Sequence, residues 1–200
     1  MPSGPLPGTT TAVARVAAGT HVLIPSRRQP EPSFAAVVTG RAPAGLSGSI
    51  SAAVRMVARG TLGVCATQLG VTEEALRRTA EYAGQRVQFE RPIATFQAVG
   101  HRCADAYIDV EGIRLTLWQA AWRVAAGLPA ATEIEVAKLW AAEGGHRVAH
   151  TAVHIHGGMG VAIEYPIHRY FVAAKQTEFM LGGATEQRLR IGSRLAAEAV

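Results

Sequence analysis

Cysteine is scarce in this 200-residue chain: Cys65 and Cys103 are the only two, and no Cys-x-x-Cys occurs. A disulfide framework and a thiolate zinc site are thereby excluded, and both thiols read as small core residues of a reducing compartment. Aromatic residues make up 6% and charged residues 18%. The arginines are scattered and no aromatic-basic stripe exists, which argues against a nucleic-acid partner. The net charge of +5 still permits an anionic partner such as a nucleotide or coenzyme A. No apolar run approaches the roughly 18 residues of a membrane span, and no signal-peptide pattern opens the chain, so a cytoplasmic protein without membrane contact is expected. Internal repeats, low-complexity tracts, His-Glu-x-x-His and Gly-x-Ser-x-Gly are all missing, which removes support for a zinc hydrolase or a serine hydrolase.

What is present is apolar content of 48%, enough for a sizeable core in one medium domain. Residues 1–49 stand apart, since most of the ten prolines fall there among Gly, Ser and Thr. Val22–Ile24 and Phe34–Val38 are apolar runs short enough for strands, and two strands alone are marginal, so this segment reads as a remnant of a larger β-unit. From residue 50 to 200 the period is helical. Val54, Leu62, Cys65, Leu69, Leu76, Thr79 and Ala83 mark a first helix of about 35 residues, ending before Arg91-Pro92. Gly60, Gly63 and Gly70 weaken it, as a close neighbour or ligand would demand. Phe96 to Val124 form a second helix, stopped by Gly127-Leu-Pro129.

Thr132-Glu-Ile-Glu135 reads as a capping box opening a third helix that runs to Gly157-Gly158. Its last turn carries His154 and His156. A fourth helix spans about Tyr165 to Leu181, with Pro166 in its first turn and Met180 among its apolar residues. Gly182-Gly183 ends it, and an amphipathic helix with Leu189 and Leu195 follows. The fold class is therefore mainly α: an antiparallel four-helix bundle plus a short C-terminal helix, behind an irregular N-terminal segment with one or two short strands.

His146, His150 and His154 lie four apart, and Glu143 with His146 forms Glu-x-x-His. A di-iron bundle needs a second such motif, which the chain lacks, so no metal is expected. On residues alone the reading is a helical bundle with a Gly-lined ligand site.

Ala83-Gly-Gln-Arg-Val-Gln-Phe89, Arg91-Pro-Ile-Ala-Thr-Phe-Gln97 and Ala104-Asp-Ala-Tyr-Ile-Asp109 go further. So do His154-Ile-His-Gly-Gly-Met-Gly160, Pro166-Ile-His-Arg-Tyr-Phe171 and Leu181-Gly-Gly-Ala-Thr-Glu-Gln187. Together, over about residues 45–198, they resemble the C-terminal helical bundle of the acyl-CoA dehydrogenase family, in particular actinobacterial subunits acting on steroid side chains. The resemblance implies a flavoenzyme that takes an α-proton and a β-hydride from an acyl-CoA thioester, with FAD accepting the hydride. It implies oligomers in which one subunit's bundle completes the FAD site of another. Arg86 then matches the arginine that meets the FAD pyrophosphate. Phe89 matches the aromatic beside the cofactor, with Gln97 an additional neighbour. His154 stands in place of the usual glutamine, and Gly157 and Gly158 match the glycines that admit FAD to the backbone.

The pattern is broken where it concerns catalysis. The family's glutamate base falls at Gly182, or in its alternative position at Ala53, and neither can accept a proton. Glu186, one turn beyond, is the nearest substitute. Three readings stay open: a base-less subunit of a heteromeric dehydrogenase that shares an FAD site and has acyl-CoA as a possible ligand; a truncated dehydrogenase that only oligomerises; and a bundle binding another ligand or metal.

Overall fold

A computed structural model describes residues 15–16, 20–21 and 47–198, with side chains from residue 52. The strands expected at Val22–Ile24 and Phe34–Val38 lie outside the described residues. The chain divides into two compact units, Met1–Arg59 and Gly60–Val200. In the first, β1 (Arg15–Val16) pairs antiparallel with β2 (Thr20–His21), Arg15 opposite His21.

The helices are α1 (Ser47–Gln85), α2 (Gln97–Ala125), α3 (Ala131–His156), α4 (Pro166–Phe179) and α5 (Ala184–Glu198). Between α1 and α2 lies a hairpin of β3 (Val87–Gln88) and β4 (Arg91–Pro92). Short connections turn the chain back at each end, so α1 and α3 run one way, and α2 and α4 the other. The central α3 packs against α2, α4 and α5. The core is a cluster of Cys65, Leu69, Val110, Ile113, Leu117 and Val148, closed by alanines of α2 and α3. Each buried Leu, Ile or Val in it contributes about 1.5–3 kcal/mol. Burial pushes the Cys65 thiol up to about 12, which makes it an inert packing residue. Cys103 is only half-buried, at the edge of this core. Among the described residues no helix is long and apolar enough to cross a membrane.

Several local expectations change. The capping box is absent: α3 starts at Ala131 with Ala130 as its cap, and no side chain caps it. Thr132 sits inside the helix, Glu133 pairs with Arg123, and Glu135 reaches α5 to accept from Arg194 at 2.8 Å. The two acids are used in tertiary ion pairs, which outweigh the local cap. Met180 lies past the end of α4 and is exposed, because Leu181 and Gly182 already have positive φ of 59° and 101°. Leu189 and Leu195 are exposed as well, and the residue that α5 buries is Gln187. In α2 the buried alanine near the C-terminal end is Ala120. In α1 a Cβ on Gly60 would lie 3.7 Å from Leu181 Cδ1, an ordinary contact, and one on Gly63 or Gly70 would meet nothing within 4 Å among the described residues.

Candidate functional site

The helix directions bring the ends of α1 and α3 together with the starts of α2 and α4. Every residue matched to the cofactor site lies at this end. The Arg86 N–H still donates to Tyr82 O at 2.8 Å, and its own carbonyl accepts from Ile93 N–H at 2.8 Å. Arg86 is thus fixed between the last turn of α1 and the hairpin, with an exposed side chain. The two turn residues, Phe89 and Glu90, have φ of 52° and 65°. A two-residue hairpin turn needs positive φ at both places, normally met by Asn-Gly, and non-glycine residues held there cost of order 1–3 kcal/mol each. Strain of this kind collects at ligand sites. It leaves the Phe89 ring 87% exposed, touching this chain edge-on at Phe96 with 6.1 Å between centroids. Arg91 covers the Phe96 ring at 4.2 Å. Gln97 begins α2, exposed, its Nε2 3.5 Å from His101 Nε2.

On the other side, His154 is exposed in the last turn of α3, and Gly157 ends the helix with φ of 64°. A 3-10 turn, Gly157–Val161, leads towards α4. Among the described residues a Cβ on Gly157 or Gly158 would meet nothing within 4 Å, so this backbone is open to an approaching ligand. Gly160 differs: a Cβ there would lie 2.9 Å from Val153 O, so it is a packing glycine. An exposed guanidinium, a raised aromatic and a bare backbone segment fit a flat, phosphate-bearing group such as FAD.

Three residues to which sequence reasoning gave no role join the two halves. The Tyr82 ring of α1 stacks on the His156 ring of α3 at 4.2 Å. His156 Nδ1 lies 3.0 Å from the hydroxyl of Tyr165, the residue preceding α4. These rings, with Arg78 and Gln85, border a cavity of about 210 Å³. Burial lowers the His156 pKa, which keeps the ring neutral. The His-x-His spacing and the tyrosine before Pro166 were the signals available.

The positions matched to the catalytic base lie elsewhere. Gly182 is at the opposite end, past α4, where Gln187 Nε2 donates to the carbonyls of Leu181 at 3.3 Å and Gly182 at 3.4 Å. Lys138 is fully buried and donates to the last carbonyls of α4, Thr177 O at 3.2 Å and Glu178 O at 3.0 Å. Desolvation lowers its pKa, while the negative end of α4 favours its charge. Glu186 is exposed and paired with Arg190. Ala53 is in the first turns of α1. Neither Gly182 nor Ala53 offers a carboxylate.

The histidine row does not converge on a metal. His146 Nδ1 lies 3.1 Å from a Glu178 oxygen and 2.9 Å from Lys175 Nζ, and its ring lies against His150 at 4.3 Å. Glu143 pairs instead with Arg147 and Arg188. Among the described residues no three His, Cys, Asp or Glu form a metal-holding group.

Comparison with known proteins gives the same picture. The family model of the acyl-CoA dehydrogenase C-terminal domain matches residues 50–196. Acyl-CoA dehydrogenase FadE27 of Mycobacterium tuberculosis is 58% identical over 157 residues, covering 74% of this chain and 42% of that protein. The crystal structure of the ChsE4-ChsE5 complex from the same organism superposes with a TM-score of 0.72 at 55% identity, over 83% of this chain and 43% of that one. A Tcur3481-Tcur3483 steroid ACAD variant matches with a TM-score of 0.69 at 42% identity, over 83% of this chain and 44% of that one. The chain therefore spans less than half the length of these relatives. This chain belongs to the acyl-CoA dehydrogenase family and carries that family's C-terminal helical domain.

Proposed function

We propose that the chain is a subunit of a heteromeric, FAD-dependent acyl-CoA dehydrogenase, lending its bundle to a cofactor site shared with a second dehydrogenase subunit. The observation that carries this is the separation of two features. The end of the bundle bearing Arg86 also carries the bare Gly157-Gly158 backbone, while the position matched by resemblance to the family's base is Gly182, at the other end. Arg86 would meet the pyrophosphate with a charged fork, Phe89 would cover a ring face, and Gln97 and His154 would line the approach. When bound, FAD supplies the hydride acceptor for α,β-dehydrogenation of an acyl-CoA thioester. The proton from the α-carbon needs a carboxylate held against it, and that group would come from the partner. The similarity to a steroid ACAD and to two-component complexes supports a sterol or lipid acyl chain as substrate and a related subunit as partner.

A face for that partner is present on α2. Ile108, Leu115 and Trp122 recur every seventh residue, with Trp118 beside them, and all four are 61–67% exposed. Such a row of large apolar side chains is rare on a monomer and common at interfaces. Co-expression with the neighbouring dehydrogenase gene, followed by an absorbance spectrum of the purified complex, tests the proposal. A stoichiometric flavin spectrum in a two-subunit complex is the expected result. Colourless protein that associates with no second subunit would overturn it.

A further inference from the structure

We propose that His156 is a positioning residue, a clamp that holds the Arg86 hairpin and the Gly157-Gly158 turn at one fixed separation; this rests on the shared cofactor site proposed above. Arg86 and Gly157 directly follow the ends of different helices, α1 and α3, which fray there unless something joins them. The join is side-chain to side-chain and one residue from each site element. Gly157 follows His156 directly. Tyr82, stacked on His156 at 4.2 Å, is the residue whose carbonyl accepts from the Arg86 N–H at 2.8 Å. Tyr165 closes the third side, its hydroxyl 3.0 Å from Nδ1, and so ties the start of α4 to the same ring.

The ring is 4% exposed, and its Nε2 is buried without a hydrogen-bond partner among the described residues. A packing role alone would be met by a leucine or phenylalanine with no orphaned nitrogen. A buried unpaired polar atom costs about 1–3 kcal/mol, and such costs persist where geometry matters. The imidazole supplies both a flat face for Tyr82 and a polar edge for Tyr165. An apolar residue can supply the first but not the second.

The clamp is also sensitive to protonation. An imidazolium donates from both nitrogens, and here Nε2 faces no acceptor. The groups around it are Arg78, Glu81 and Tyr82 from α1 and Tyr165 before α4. Arg78 is already positive and held by Glu74, and Glu81 is taken by Arg77. Among the described residues no carboxylate is hydrogen-bonded to the ring to stabilise a charge on it. Acid therefore weakens the clamp.

Hydrogen exchange on the intact chain gives a test that needs no flavin. In His156→Leu, amides of Val87–Arg91 and of Gly157–Val161 should both exchange about tenfold or more faster, the two segments rising together. Tyr165→Phe, which keeps all the apolar packing, should give a smaller rise in the same two segments. His156→Phe should retain the stack and abolish the rise expected in the unmodified chain as pH falls below 6.5. Faster exchange confined to Gly157–Val161 would overturn the proposal, because the ring would then serve only its own turn. In the two-subunit complex, His156→Leu should also lower FAD affinity about tenfold, equivalent to 1.4 kcal/mol. Unchanged affinity with Arg86→Ala as well would sink the shared-site reading and leave the clamp to be judged by exchange. Unchanged affinity in His156→Leu, with Arg86→Ala impaired, would sink the clamp's functional role.

Discussion

Gly145 of α3 gives up its side-chain space to Gln68 of α1: a Cβ at Gly145 would overlap the Gln68 amide. That amide is 1% exposed and cannot swing clear, since Nε2 donates to Ala174 O at 3.3 Å and Oε1 accepts from the Thr177 hydroxyl. Three helices meet at this point, α1, α3 and α4. Gly145→Ala should therefore cost about 1–3 kcal/mol, the usual range for overpacking a filled core. Urea denaturation would read it as a lower midpoint at unchanged slope.

Stability should fall in acid, and His156 is one identifiable cause. Its folded-state pKa is depressed by burial below the ordinary 6.5. Below pH 6.5 the unfolded chain binds a proton that the folded chain refuses. The stability present above that pH is thus lost progressively as pH falls towards the lowered folded value. His156→Phe should flatten this part of the profile, measured as midpoint against pH from 8 to 5.

Cofactor retention should depend on Arg86. The Arg86→Ala variant of the two-subunit complex removes one charge-assisted contact worth about 1.5–3 kcal/mol, so FAD affinity should drop roughly tenfold or more. Flavin fluorescence during dilution measures it, and full retention would contradict the role given to this arginine.

Association should run through the α2 face. A carboxylate in the middle of the row, Leu115→Glu, should leave the core intact, because Leu115 is 67% exposed. It should still lower the mass of the assembly in light scattering at micromolar concentration. An unaltered assembly would place the interface elsewhere.

The chain alone should not reduce flavin with an acyl-CoA. General-base catalysis supplies about 10²–10⁴-fold, and neither Gly182 nor Ala53 can provide it. Restoring the glutamate is not a simple repair. At Gly182 φ is 101°, and a Cβ would lie 2.7 Å from both Gln187 Nε2 and Glu186 Oε2. Gly182→Glu should thus be destabilised, and any activity it gains has to be read against its lower melting point. Rapid bleaching by the unmodified chain with octanoyl-CoA would refute the expectation and point to Glu186.

The local sequence was enough for the helices, since burial at Cys65, Ala106, Val110, Ile113, Ala137 and Val148 follows the 3-4 spacing of one helix face. It was also enough for the family, because the motifs around Arg86 and Gly157-Gly158 are contiguous runs. The tertiary structure decided matters of long-range partnership. Thr132 and Glu135 have the spacing of a cap, yet Glu135 goes to Arg194, 59 residues away. Leu189 and Leu195 are large apolar residues of an amphipathic helix, yet the buried residue of α5 is Gln187, drawn in by the carbonyls of Leu181 and Gly182. Gly157 and Gly160 look alike in sequence, but one faces open space and the other the backbone of Val153. The meeting of Tyr82, His156 and Tyr165 likewise depends on three elements converging at one end of the bundle. Periodicity reports which face of a helix is apolar; which polar group lies across from it is set by how the helices pack.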